Sequence, residues 1–74
     1  MTTLGKQDKV QLIESRFKQL EYRKYSLELD LIVENAKTAP DANSVEVIEN
    51  AITEIDTQVA ALNSELTAVN LLTE

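Results

Sequence analysis

The chain has no cysteine, no histidine and no tryptophan, and one glycine and one proline in 74 residues. Without cysteine there are no disulfides and no thiolate metal sites, and nothing marks an oxidising compartment. Without histidine and cysteine, the bases left for chemistry are carboxylates, lysines and tyrosines. With Gly5 and Pro40 alone of their kinds, the chain has few places to turn sharply. No apolar run approaches the roughly 18 residues that mark a membrane span. The opening MTTLGKQDKVQ lacks the apolar centre of a signal peptide. Positive charge is scarce as well. The formal net charge is −6 and the pI is near 4.5, a balance that repels nucleic acid phosphates and anionic lipid head groups. These bounds predict one small, soluble, cytoplasmic, mostly helical domain with a modest core that calls for a partner or another staple.

What the chain does have is rhythm. From Ile48 to Val69 the large apolar residues Ile48, Ile52, Ile55, Val59, Leu62, Leu66 and Val69 follow steps of four and three. In the first half, Val10, Ile13, Phe17, Leu20, Leu27 and Leu31 keep the same beat, with Lys24 filling one gap. Written as heptads, Val10, Phe17, Lys24 and Leu31 are a positions, and Ile13, Leu20, Leu27 and Glu34 are d positions. In the second half Val45, Ile52, Val59 and Leu66 are a, and Ile48, Ile55, Leu62 and Val69 are d. A period of 3.5 lays such residues on one stripe of a helix, the seam of a coiled coil.

Between the halves lies KTAPDANSVE. Pro40 lacks a backbone donor and pushes Ala39 from helical angles, so the first helix is expected to stop near Lys37 or Thr38. Lys37 then faces the negative end of that helix's dipole. Asn43 or Ser44 is expected to cap the second helix, and Asn43 with Glu46 has the spacing of a capping box. The predicted layout is a helix over about 6–38, a loop over about 39–43 and a helix over about 44–72. So short a connection makes the helices antiparallel neighbours. Folding near residue 41 pairs residues whose numbers add to about 82 or 83. Leu31 meets Ile52, Leu27 meets Ile55, Leu20 meets Leu62, Phe17 meets Leu66 and Ile13 meets Val69. Each of these layers is apolar on both sides, whereas Lys24 meets Val59. The fold class is therefore all-α, an antiparallel two-helix hairpin of coiled-coil type, expected to pair into a four-helix bundle.

Apolar residues off the seam support the pairing. Tyr22, Tyr25, Leu29, Ile32, Val33 and Ala36 form a second stripe on the first helix, and Val47, Ala51, Ala60, Ala61, Ala68, Leu71 and Leu72 widen the apolar arc of the second. Exposed stripes of this kind mark interfaces, so Tyr22, Tyr25, Leu29, Ile32 and Val33 are the candidate interface residues. All seven lysines and arginines lie within residues 6–37, whereas the chain from 45 onward has six acids and no base. Lys9, Arg16 and Arg23 occupy g positions, and Glu14, Glu21 and Glu28 occupy e. In an antiparallel hairpin g faces g and e faces e. Arg16 can then meet Glu65, while Glu28 lies near Asp56 unless Lys24 swings between them. Lys24 either fixes the register or snorkels along the seam. Glu34 is expected to stand in solvent where the helices part.

No chemistry stands out. Asp30 with Glu34, and Glu46 with Glu49, are carboxylate neighbours of the sort any solvated helix face produces, and two helices offer no cleft to desolvate them. The Glu-x-x-His motif of di-metal bundles is missing, and the loop is too short and glycine-free for a calcium site. No enzyme activity, cofactor, metal or small-molecule substrate is expected. Binding to RNA would have to use the bases of the first helix, where glutamates are interleaved. The segments QLEYRKYSLELDLIVENA and EIDTQVAALNSELTAV resemble small helical hairpin proteins encoded by tailed marine phages. That resemblance implies a phage origin and action in the host cytoplasm or during particle assembly. It carries over no activity and no functional residue. The expected function is a non-enzymatic protein–protein interaction module, an assembly factor, adaptor or inhibitor, that self-associates or docks on another protein. A structural subunit of a larger particle, viral or otherwise, and an RNA-binding hairpin dimer are the alternatives.

Overall fold

A computed structural model describes residues 4–72. Helix α1 runs Lys6–Asn35 and helix α2 runs Ala42–Asn70, with no strand among the described residues. The two lie antiparallel as a hairpin, each about 45 Å long at about 1.5 Å per residue.

Burial follows the heptads. All fourteen apolar seam residues are buried or half-buried, as are Lys24 and Glu34 at the two polar seam positions. Elsewhere among the described residues only Gly5, Lys6, Lys9, Ser44 and Ala51 share that protection. The register agrees too. Ile13 and Val69 line one groove, Leu20 and Leu62 a second, and Glu34 and Ile48 a third, in each case with numbers adding to 82. Yet the apolar seam residues that reach full burial are just Ile13, Ile55 and Val69. Two helices supply one wall each, so most seam side chains keep an open side.

The turn departs from expectation in three ways. Helix α1 ends at Asn35 rather than at Lys37 or Thr38. The cause is Glu34, which is buried rather than solvent-exposed, retaining 8 % of its surface. Its carboxylate accepts the Asp41 amide at 3.1 Å and the Lys37 ammonium at 3.0 Å. The Lys37 amide donates to the Glu34 carbonyl at 3.3 Å, a tighter three-residue turn that closes the helix. Helix α2 begins at Ala42, and its cap is Asp41 rather than Asn43 or Ser44. Asp41 Oδ1 accepts the Asn43 amide at 2.9 Å. Asn43 is therefore the capped donor and not the capping acceptor. Asp41 is itself extended, with φ −84° and ψ 112°, the backbone an N-cap residue takes. No described residue needs a positive φ, so the connection forms without a left-handed glycine.

The far end of the hairpin is tied by Lys6. Its ammonium donates to the carbonyls of Asn70 at 3.0 Å and Leu72 at 3.3 Å. These carbonyls lie at the negative end of the α2 dipole, where a cation is favoured. Each end of the rod therefore carries a polar clasp, and the apolar seam lies between them.

Candidate interaction surfaces

Going round either helix, the heptad positions follow the order c, g, d, a, e, b, f, because each residue advances about 100°. The d residues thus lie toward the g flank of the hairpin and the a residues toward the e flank. The two flanks differ.

The e flank is acidic and bridged. Glu14, Glu21 and Glu28 on α1 and Glu49 and Asp56 on α2 occupy it. Lys24 leaves the seam on this side and donates to Asp56 Oδ1 at 2.8 Å. The hydrogen bond from Lys24 to Asp56, then the charge of Asp56, and lastly that of Glu28 hold the ammonium above its ordinary pKa. Lys24 thus swings between Glu28 and Asp56 and relieves their repulsion. Both bridging side chains keep 40 % or more of their surface in solvent, so the pair fixes geometry more than it adds stability.

The g flank is open. Three grooves lie along it. Near the loop, Val33 and Val47 stand either side of Glu34 and Ile48. At mid-length, Leu20 and Leu62 form the floor between Arg16, Arg23 and Ala61. Toward the termini, Leu12, Ile13 and Val69 lie between Lys9 and Glu65. Arg16 and Glu65, whose meeting the register allows, form no ion pair, and the ion pairs among the described residues are Lys24–Asp56 and Lys37–Glu34. The apolar width of α2 is on this side, through Val47, Ala51, Ala61 and Ala68. The sequence shows the widening, but it takes the folded hairpin to show that the widened side coincides with the grooves.

The five candidate interface residues are all exposed. Tyr22 and Tyr25 share a shallow depression with Lys18 and Glu21 on the outer face of α1. Leu29 and Ile32 continue that stripe toward the loop at b and f positions. Val33 stands at its edge and belongs to the loop-end groove with Val47. The structure therefore divides the five between two surfaces that meet at Val33.

Glu34 is the other titratable group whose affinity for protons is shifted. The Asp41 amide and then the Lys37 ammonium hold its carboxyl below the ordinary value of 4.5 against the opposing effect of its burial. This site locks the turn. Among the described residues no cluster of three or more acidic side chains is placed to hold a metal ion. No helix among them is long and apolar enough to cross a membrane.

These features define a helical hairpin with one acidic, bridged flank, one open, grooved flank and an aromatic outer stripe. Comparison with protein-family models, curated proteins and solved structures yields no match.

Proposed function

We propose that this protein is a non-enzymatic interaction module that works as an assembly of hairpins, pairing into a four-helix bundle and presenting its tyrosine stripe to another protein. Its place of action is the cytoplasm, the host's if the chain is phage-encoded. The observation that carries the reading is surplus surface. A compact monomer of 8.3 kDa exposes about 4,600 Å². The hairpin exposes 5739 Å², roughly 1,100 Å² more. A specific interface buries about 800 Å² from each partner, so the surplus is of the size one such contact removes. Its chemistry fits as well. The exposed large residues include Tyr22, Tyr25, Ile32, Val33 and Val47, each with more than 60 % of its surface in solvent. Large apolar side chains left this exposed on the faces of a helix mark contact sites.

Sedimentation equilibrium with circular dichroism across a dilution series tests the reading. The expected result is a mass of twice 8.3 kDa or more at micromolar concentration, with helicity falling as the mass falls. A monodisperse 8.3 kDa monomer, fully helical and heat-stable over the same range, rejects it.

A further inference from the structure

The open flank has a shape and a charge pattern that specify its occupant. Its α1 edge carries Lys9, Arg16 and Arg23, with Asp30 toward the loop, so it is positive on balance, and its α2 edge carries Glu65 and no base. One edge is thus positive and the other negative. Two kinds of two-fold axis can bring this flank onto a second copy of itself. An axis across the rod stacks α1 on α1, basic edge against basic edge, with the loops at opposite ends. An axis along the rod stacks α1 of each copy on α2 of the other, basic edge against acidic edge, with both loops at one end. Residues whose numbers add to about 82 share a level along the rod, so the second arrangement sets Arg16 beside Glu65 of the second copy, and the reverse. The remaining pairings fail on charge or closure. Two e flanks would gather Glu14, Glu21, Glu28, Glu49 and Asp56 of both copies, with Lys24 already held by Asp56. An e flank on a g flank is a head-to-tail contact that keeps adding copies instead of closing.

The grooves fit the same geometry. Leu20 and Leu62, half-buried in one hairpin, would face their counterparts from the other. Ala51 and Ala61 on the α2 edge are small enough for a helix to approach closely. We therefore propose that the open flank binds a second copy of this chain across a two-fold axis along the rod, with Arg16 and Glu65 paired between copies in both directions. This rests on the self-association proposed above and specifies how it is made. The tyrosine stripe stays on the outside of the resulting bundle.

Charge exchange tests it. Arg16→Glu and Glu65→Arg are made separately on the full chain. Both positions are exposed and lack an ion-pair partner in the hairpin, so each variant should keep its helicity. Alone, each variant brings two like-charged contacts to the interface and dimerises weakly. Mixed in equal amounts, the two restore both pairs in a heterodimer. The mixture is expected to associate about tenfold or more tightly than either variant alone at low salt, with the advantage lost near 1 M salt. An ion pair within one hairpin cannot produce rescue on mixing. A second measurement leaves the interface unaltered. Spin labels on Thr38→Cys, in the exposed turn, should lie within about 25 Å of each other when the loops share an end, against about 45 Å or more, one helix length, when they do not. If the wild-type chain dimerises but mixing gives no gain, or the labels lie a helix length apart, this arrangement is overturned and self-association stands. If the wild-type chain is a monomer throughout, both fall.

Discussion

Leu62→Ala and Ile55→Ala should differ at low protein concentration and converge at high. The two residues are d-position neighbours on α2, one heptad apart. Ile55 is 2 % exposed, closed in by the hairpin itself. Leu62 is half-buried and forms the floor of the mid-length groove. Truncating a fully buried Leu or Ile to Ala costs about 2–5 kcal/mol. Around Ile55 the seam neighbours Ile52 and Val59 are themselves half-buried, so the gap can partly close, and a cost of about 2–3 kcal/mol is expected. Leu62 has roughly half its side chain left to lose from water-free contact in the lone hairpin, which puts its cost near 1 kcal/mol. A chain of 74 residues has about 4–11 kcal/mol of total stability, and an open hairpin belongs at the lower end. Ile55→Ala therefore removes about half of what there is. If a second hairpin covers the groove, Leu62 becomes fully enclosed and its cost rises to about 2–3 kcal/mol, equal to that of Ile55. Urea denaturation followed by far-ultraviolet circular dichroism, at about 2 µM and about 200 µM chain, separates the cases, because association makes stability depend on concentration. The reasoning is refuted if Leu62→Ala costs about 1 kcal/mol at both concentrations and the wild-type midpoint does not move between them.

The clasps and the outer stripe give three more expectations. Asp41→Ala leaves the Asn43 amide without its acceptor and should lower stability by about 1 kcal/mol, while Asn43→Ala, which keeps that backbone donor, should cost much less. Glu34 has its carboxyl held below 4.5 in the folded chain, so its contribution is complete above 4.5 and is lost as pH falls through the folded value. The gap in stability between wild type and Glu34→Gln should therefore be constant near neutral pH and close on acidification in denaturant melts, and a gap that persists unchanged in acid contradicts the role of the ionised carboxylate. The double variant Tyr22→Lys with Ile32→Lys should keep the assembled mass in sedimentation, because the stripe lies outside the paired flank, and dissociation to a single chain would move the self-contact onto α1's outer face.

The seam was legible in the sequence because a two-helix fold converts spacing directly into burial. Once Leu27 and Ile55, or Ile13 and Val69, fall at facing heptad positions, no later decision can separate them without moving every layer. The turn was less legible for the opposite reason. Its geometry depends on single hydrogen bonds between residues that no period links. The carboxylate of Glu34 reaches the Asp41 amide seven positions on, and this bond shortens α1 and lets α2 start early. Helix propensity says nothing of it, and the d position alone suggested a residue left in water where the helices diverge. Lys6 shows the same limit across 64 positions, since its capping of the Asn70 carbonyl follows from the antiparallel return rather than from any local pattern.

The candidate surface was legible as composition but not as sides. Tyr22, Tyr25, Leu29, Ile32 and Val33 stand out in a list of exposed apolar positions, and all five are exposed in the fold. Their division into an outer stripe and a groove edge depends on which flank the folded pair leaves open. Periodicity cannot supply that, because a and d residues are alike in one dimension. Charge and side-chain length break the tie. Lys24, at an a position, has a stem long enough to reach the e flank, where it finds Asp56 and bridges that side. Apart from Glu34 at the loop end, the d residues on the other side end in short aliphatic groups that cannot span the gap, and Arg16 and Glu65 above them do not pair. One lysine in a seam otherwise apolar until Glu34 thus bridges one flank of the hairpin, and the flank it turns away from is the one the proposed dimer would use.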